Sequence, residues 1–323
     1  IPGRNSFIAE DFSIKPEQVQ FDEMNKVLMT MDPEEQQDSS VLPDLEPPRC
    51  ITGEQSKHRV WYKPYSHFSM PLAHAYTMVR MSGDHIQNIR GALLLRMFIS
   101  MVYESLSDVS YDAEMADLSF EIHSETGEGL EIFCGGFNHK LPELIRMIYE
   151  RIVNPEFNPI VFDRIKNLYI RKYSNHAKDQ ANEQGKYLVN MVTQEPFFAY
   201  GRSLKIAQKL EMGDVVHFYN QTIRNSPEFR IDTFINGNMT RQQCETIANQ
   251  MDELLNYSEL PQEEEAVSFI FQLPRNVVTL IERPSSNSQM DANCSVNVHF
   301  QLGERDLRSK VKLDLLSKIM KSY

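Results

Sequence analysis

Histidine, cysteine and carboxylate side chains are the residues of this chain that could bind a metal ion or transfer protons. A zinc-hydrolase helix places two histidines and a glutamate on one turn, as His-Glu-x-x-His or His-x-x-Glu-His, so that both imidazoles meet one metal ion. None of the nine histidines occurs in either spacing: His58, His67, His74, His85, His123, His139, His176, His217 and His299. His67 and His74 flank a predicted strand start, and we interpret them as surface or capped histidines. The sequence therefore predicts no catalytic and no metal-binding residue.

Other short motifs of catalysis and phosphate binding are also missing from the sequence. The chain contains no Gly-x-Ser-x-Gly nucleophile elbow, no Gly-x-x-x-x-Gly-Lys loop and no Gly-x-Gly-x-x-Gly fingerprint. Gly135 and Gly136 lie near the end of a predicted strand, where we expect a bend or bulge rather than a ligand loop.

Four aromatic residues lie close together in one segment: Trp61, Tyr62, Tyr65 and Phe68. They leave two interpretations open, a recognition patch or a strand packed against a core. The pattern favours the strand.

The composition is that of an acidic globular protein of about two domains. The 323 residues include 33 Lys and Arg against 45 Asp and Glu, a net charge of −12. This charge argues against nucleic acid as a partner, and no apolar run approaches the ~20 residues of a membrane span. Four widely separated cysteines exclude a Cys-x-x-Cys motif and predict reduced thiols in a cytoplasmic protein: Cys50, Cys134, Cys244 and Cys294.

Hydrophobic periodicity predicts the strands and helices that must position these side chains. Strands are expected over residues 59–63, 72–81, 118–123, 130–137, 231–235, 267–271, 277–282 and 294–302. Helices are expected over residues 86–106, 141–153, 159–169, 180–193, 202–210, 213–224 and 240–255, and from about 306 to the last residue. The strongest alternation is that of residues 294–302, where Cys294, Val296, Val298, Phe300 and Leu302 share one face. This pattern predicts an α+β fold, an antiparallel sheet packed with helices.

The chain divides by composition into three predicted parts. Residues 1–55 hold six of the sixteen prolines and most of the net negative charge, and the stretch 32–44 is polar and unpatterned, so we expect an acidic, proline-rich linker. Residues 56–262 are expected to form one complete α+β domain. Residues 263–323 are expected to be the truncated start of a second α+β unit, and we interpret the whole as a piece of a longer polypeptide.

Several short motifs occur in an order that is similar to a known family. The motifs are Asn5, Phe7, Ile8, Asp11 and Phe12; Val60-Trp61-Tyr62-Lys63 with Phe68-Ser69-Met70-Pro71; Tyr111, Ala113, Ala116 and Leu118; Gly136 to Leu141; Asn236 to Thr240; and Asn293-Cys294. The ordered set resembles the C-terminal half of the insulysin (insulin-degrading enzyme) family of pitrilysin-type inverzincin metallopeptidases. The resemblance is collinear over essentially the whole chain.

The resemblance implies a fold and a function. Members of the family have four related α+β domains, whose two halves close around a peptide substrate, and this chain resembles the linker, the third domain and the start of the fourth. The zinc ion belongs to the first domain, so we expect no cofactor in this fragment, zinc in the parent protein and no catalytic residue here. Expected partners are the peptide substrate and the N-terminal catalytic half of the same chain, and a homodimer is a further expectation.

Two alternatives stay open from the sequence. One is a non-catalytic homologue, like a core or regulatory subunit, which would bind a peptide or a partner subunit without chemistry. The other is an unrelated α+β interaction domain.

Overall fold

The computed structural model describes most of the chain and divides it into two compact units. The described residues are 5–15, 47–53, 55–64, 70–125, 127–225, 227–274, 277–278, 280–281, 295–301 and 306–321. The larger unit comprises Ile1–Asn175 and Phe198–Phe269, and the smaller unit comprises His176–Phe197 and Ile270–Tyr323. The polar stretch 32–44 and residues Tyr65, His67, Phe68, Cys294 and Leu302 lie outside the described residues.

The larger unit contains a sheet and the helices that cover it. Its strands are β1 (Arg49–Cys50), β2 (His58–Lys63), β3 (Leu72–Arg80), β4 (Ser119–Glu125), β5 (Gly129–Phe137), β6 (Glu228–Gly237) and β7 (Ser258–Glu259). Its helices are α1 (Gly83–Ile86), α2 (Ile89–Ser105), α3 (Ser107–Glu114), α4 (Leu141–Val153), α5 (Pro159–Asn175), α6 (Tyr200–Ala207), α7 (Met212–Tyr219) and α8 (Arg241–Leu255). Short turns of π-helix at Asn220–Arg224 and of 3-10 helix at Gln262–Glu264 complete it.

The strands of the larger unit form one mixed sheet in the order β1-β2-β6-β3-β5-β4, with β7 also beside β6. The pairs β2–β6 and β6–β7 are parallel, whereas the other neighbours are antiparallel. Alternate residues of each long strand point to an apolar core. Helices α2, α4 and α8 pack on that inner face, which buries residues such as Val60, Ala75 and Ile231. The predicted α+β fold, a sheet packed with helices, is confirmed. The sheet, predicted to be antiparallel, is mixed, because two of its strand pairs are parallel.

Several helix boundaries follow signals that the sequence contains. Helix α4 spans the predicted residues, and Pro159 opens α5 as expected for a residue without a backbone N–H. The predicted capping box at the start of α8 is confirmed: Gln243 N donates to Thr240 Oγ1 at 3.2 Å and Thr240 N donates to Gln243 Oε1 at 2.9 Å.

The single helix predicted over 86–106 is wrong at its start. Helix α1 ends at Ile86, and α2 begins only at Ile89 after an extended Asn88, whose Oδ1 accepts a hydrogen bond from Gly91 N at 2.8 Å. An asparagine side chain competes with the helical backbone for N–H groups, so it favours a new helix start over a continuous helix.

The bend expected at Gly135 and Gly136 is also wrong, because β5 continues through both residues to Phe137. Gly136 has a φ of 135°, and a Cβ atom at this position would lie 2.2 Å from the carbonyl oxygen of Asp117. The glycine therefore allows a close backbone approach within an unbroken strand.

The smaller unit contains the helices Ala181–Thr193 and Leu307–Lys321, a 3-10 turn at His176–Lys178 and the two-residue strand Gln194–Glu195. The last helix begins as predicted, since Asp306 Oδ1 accepts a hydrogen bond from Ser309 N at 3.0 Å. The strand predicted over 267–271 shrinks to Phe269–Ile270. No strand occurs at the described residues of 277–282.

The strand predicted over 294–302 is wrong for its described residues, 295–301, which form no backbone ladder. Val296 and Phe300 are 89% and 70% exposed, so their alternation faces no core among the described residues. Instead, the Gln301 side chain accepts from Leu273 N at 2.7 Å and donates to Phe271 O at 2.9 Å. Alternation predicts a strand only where a neighbouring strand and an apolar layer meet it.

Among the helices of the described residues, none has both the length and the hydrophobicity that a membrane span requires.

Candidate functional site

The histidine side chains of the described residues form no group that could hold a metal ion. His58 is buried in β2, where its Nδ1 lies 2.8 Å from Asp252 Oδ1 and its Nε2 lies 2.9 Å from Thr233 Oγ1. His74 lies on the opposite face of the sheet, in β3. Within the part of the chain that the structure describes, no three His, Cys, Asp or Glu side chains come together in a way that could hold a metal ion. The described residues therefore do not fit a zinc site.

The face of the sheet opposite the helices presents a row of aromatic side chains from four neighbouring strands. In the register of the sheet, the partners run in the order Trp61 (β2), Phe234 (β6), Tyr76 (β3) and Phe133 (β5). Residues that face each other across neighbouring strands project to the same side, so these four side chains form one line. At ~4.8 Å per strand, the line is about 14 Å long. We call it the aromatic row.

The rings of Phe234, Tyr76 and Phe133 adjoin one another, and Tyr76 is exposed. The Tyr76 ring lies 4.9 Å from the Phe133 ring and 6.2 Å from the Phe234 ring, centroid to centroid. Tyr76 is 44% exposed. The His74 imidazole stacks on Phe133 at 6.0 Å, and burial lowers the pKa of His74 because the imidazolium loses hydration there. The row is a preformed, partly exposed apolar surface on a rigid sheet, suited to contact with apolar side chains of another polypeptide segment.

An ion-pair network lies beside the aromatic row on the same face of the sheet. Arg59 and Asp232 each precede a residue of the row by two positions, along β2 and β6. Arg59 donates from Nε and Nη2 to the two carboxylate oxygens of Asp232, both at 2.6 Å. Arg80 Nε lies 3.3 Å from Asp232 Oδ2, and Arg80 Nη1 lies 3.6 Å from Glu128. The hydrogen bond to Asp232 raises the pKa of the Arg59 guanidinium. The charge of Asp232 is therefore matched by two arginines.

A depression of about 270 Å³ lies at the Phe133 end of the aromatic row. Its lining consists of Tyr76, Phe133, Glu121, His123 and Glu131. Glu121 faces Phe133 and Glu131 faces His123 in the register of β4 and β5, and His123 Nε2 lies 3.0 Å from Glu121 Oε2. Among the described residues, no lysine or arginine pairs with either glutamate. This depression combines aromatic rings with carboxylates that have no arginine or lysine partner in the described part of the chain.

The opening segment 5–15 is held against the larger unit by the turns that follow β5 and β6. Phe7 is buried in the core, and Asn238 accepts from Lys15 N at 2.7 Å and donates to Ser13 O at 2.9 Å. His139 Nδ1 accepts from Glu10 N at 3.0 Å. Residues 5–15 are thus an ordered part of the larger unit.

Comparison with known proteins decides the family. Residues 1–206 match the family model Peptidase_M16_M, described as the middle or third domain of peptidase M16.

The chain belongs to the M16 peptidase family.

Curated M16 relatives match along most of the chain. Insulin-degrading enzyme-like 2 of Arabidopsis thaliana is 24% identical over 258 residues, 79% of this chain and 23% of that protein. Nardilysin of Homo sapiens is 23% identical over 318 residues, 98% of this chain and 25% of that protein. The chain thus spans about a quarter of the length of these M16 relatives.

The fold of this M16 chain is that of a solved M16-type structure. A crystal structure of pitrilysin matches with a TM-score of 0.65 and 20% identity, over 80% of this chain and 24% of that one. A conserved protein from Enterococcus faecalis V583 matches with a TM-score of 0.51 and 14% identity, over 69% of this chain and 55% of that one.

The sequence indicated only part of the aromatic row in this M16 domain. The sequence leaves the aromatic segment 61–68 open between a recognition patch and a core strand, and the structure separates the two aromatic residues of that segment that it describes. Tyr62 packs inward, where its hydroxyl donates to Met239 O at 2.6 Å. Trp61 points to the opposite face and joins Phe234, Tyr76 and Phe133, which are distant in sequence. The sequence does place one of these four aromatic residues in each of four predicted strands. It does not predict the strand register that aligns them.

Proposed function

We propose that the chain is a non-catalytic segment of an insulysin-like zinc metalloendopeptidase that degrades peptides. In this proposal the larger unit forms part of the wall of the substrate chamber and packs against the catalytic half of the same polypeptide. The partners are then a peptide substrate and the N-terminal half. The zinc ion belongs to the parent protein, and no step of hydrolysis is assigned to residues of this chain.

The observation that carries the proposal is the aromatic row. One face of the sheet is buried by helices, whereas the other presents Trp61, Phe234, Tyr76 and Phe133 in one line. A chamber wall must contact peptides of many sequences, and aromatic side chains supply contact area at a low cost in conformational entropy. The row offers such contacts without chemistry.

Peptide binding by the full 323-residue chain tests this proposal. We expect an unstructured, fluorescein-labelled peptide with aromatic residues to bind with a Kd in the micromolar to millimolar range, and Tyr76→Ser with Phe133→Ser to weaken binding about tenfold. Tyr111→Ser is the matched control, since Tyr111 is 65% exposed on α3. Equal loss of binding in the control, or chelator-sensitive cleavage of the peptide by the purified chain, would contradict the proposal.

A non-catalytic homologue, which binds a peptide or a partner subunit with the same face, is the alternative. The row serves binding equally well in either case. The upstream part of the reading frame discriminates between them: an intact His-x-x-Glu-His with a downstream glutamate favours the peptidase, and its loss favours the homologue.

The remaining expectations from sequence belong to the same proposal. They are the division into residues 1–55, 56–262 and 263–323, a cytoplasmic location and a homodimer. Size-exclusion chromatography with light scattering tests the homodimer, and limited proteolysis tests the division.

A further inference from the structure

The glutamates of the depression beside Tyr76 differ in their pairing from Asp232 on the same face of the sheet. Asp232 on that face is matched by Arg59 and Arg80, as described above. Glu131 has no hydrogen bond or ion pair within the described residues, and Glu121 pairs there only with His123. Within the described residues, no lysine or arginine neutralises the negative charge of the depression.

The rings at the same place favour one kind of cation. A guanidinium is planar, is weakly hydrated and stacks on aromatic rings while its N–H groups donate to carboxylates. Tyr76 and Phe133 supply adjoining rings 4.9 Å apart, and Glu121 and Glu131 supply acceptors at the rim. A metal ion would instead need several converging oxygen ligands, and no such group occurs among the described residues.

We propose that the depression lined by Tyr76, Phe133, Glu121, His123 and Glu131 binds the arginine side chain of an extended peptide that lies along the aromatic row. This inference rests on the proposed peptide-binding function and names the chemistry of the peptide.

The length of the row sets the spacing of the peptide. The row extends about 14 Å from Phe133 to Trp61, and an extended peptide advances ~3.3–3.4 Å per residue. Side chains an even number of residues apart lie on the same side of an extended chain. A peptide with an arginine in the depression thus places the residue four positions away near Trp61, and an aromatic residue there adds contact area.

The test uses the full 323-residue chain and three fluorescein-labelled peptides measured by fluorescence anisotropy. The first is Gly-Arg-Ser-Thr-Ser-Phe-Gly, the second has citrulline in place of arginine, and the third has serine in place of phenylalanine. Citrulline keeps the shape of arginine and removes its charge, so it isolates the electrostatic part. We expect the arginine peptide to bind about tenfold more tightly than the citrulline peptide at low salt, and this ratio to shrink as salt is raised.

Variants assign the effect to the depression. Glu131→Gln and Glu121→Gln together should reduce the affinity for the arginine peptide about tenfold and leave that for the citrulline peptide unchanged. Glu253→Gln is the control for the loss of a single negative charge elsewhere, because Glu253 is exposed on α8 on the other side of the sheet. Circular dichroism and thermal unfolding check that each variant is folded.

The outcomes separate this inference from the proposed function. Equal affinity for the arginine and citrulline peptides, with loss of both on Tyr76→Ser, would overturn the arginine site and keep the peptide-binding face. A selective loss in Glu253→Gln as large as in the double variant would also overturn the site. Absence of binding of all three peptides at millimolar concentration would overturn both proposals.

Discussion

Asn238 donates a hydrogen bond from its side-chain amide to the side-chain oxygen of Asn138 at 3.1 Å, and both residues are buried. Asn138 follows β5 and Asn238 follows β6, so they lie at equivalent positions on either side of β3. Their backbone N–H groups donate to Pro71 O at 3.0 Å and to Leu72 O at 2.8 Å. This pair joins three strand ends in the centre of the sheet.

Asn238 also holds the opening segment, which yields the first prediction. Asn238→Ala removes the acceptor of Lys15 N and the donors to Ser13 O and Asn138. Buried polar groups then lose their partners, and we expect the free energy of unfolding to fall by about 2–4 kcal/mol. Hydrogen exchange should accelerate at residues 5–15 before it does in the sheet, because their anchor is lost.

Asn249→Ala is the control, since Asn249 is exposed on α8. It should change the free energy of unfolding by less than about 0.5 kcal/mol. Unchanged exchange at residues 5–15 in Asn238→Ala would contradict this role of Asn238.

A second prediction concerns the contact of the buried His58 with Asp252, which is partly exposed. Asp252 Oδ1 lies 2.8 Å from His58 Nδ1 and accepts a hydrogen bond from Tyr257 Oη at 2.9 Å. Asp252→Ala leaves the buried His58 imidazole and the Tyr257 phenol without their shared partner. We therefore expect the free energy of unfolding, measured with urea, to fall by about 2–4 kcal/mol. The neighbouring Glu253→Ala is the control, because Glu253 is exposed. Equal losses in the two variants would argue against the pair.

A third prediction concerns the pH dependence of stability. Burial lowers the pKa of His74 below its ordinary value of 6.5, and its cross-strand neighbours Asn236 and Gly135 carry no charge. The unfolded state therefore binds more protons than the folded state as pH falls through 6.5, and this contribution to stability is present above that pH and is lost below it.

His74→Gln does not titrate in this range. We expect its free energy of unfolding to change less between pH 7.5 and pH 5.5 than that of the unaltered chain, measured with urea at both pH values. His299→Gln, at an exposed position of the smaller unit, should keep the pH dependence of the unaltered chain. A His74→Gln variant with the full pH dependence would show that other groups cause it.

A fourth prediction concerns the thiols. Cys134 and Cys244 are both buried, and burial raises the pKa of the Cys134 thiol. A thiol without access or thiolate character reacts slowly with disulfide reagents. We expect both thiols to react with Ellman's reagent only after unfolding in guanidinium. The unfolded chain should therefore show at least two more reactive thiols than the native chain. In the native state, Cys134→Ser should show the same number of reactive thiols as the unaltered chain, because Cys134 does not react there. A smaller number in the native variant would contradict this prediction.

The helices and strands that the sequence indicated correctly are those whose signals are local. Thr240 and Gln243 form a capping box within four residues, and Pro159 opens its helix by lacking an N–H group. The errors arose where a distant partner decides the outcome. Alternation over 294–302 predicts a strand, but residues 295–301 have no ladder partner among the described residues. In the sequence Gly136 suggests a bend, whereas in the structure it allows the close approach of the Asp117 carbonyl oxygen.

The sequence by itself determined the α+β class, most helices and strands of the larger unit, and the ordered motifs that resemble the M16 family, because periodicity, caps and short motifs are written in neighbouring residues. Only the tertiary structure decided the candidate site. The pairing of four strands brings Trp61, Phe234, Tyr76 and Phe133 into one row. Asp232 pairs with an arginine, whereas Glu121 and Glu131 have no arginine partner among the residues that the structure describes. Strand register depends on packing over the whole sheet, and charge balance depends on which side chains meet, so neither can be read from local sequence.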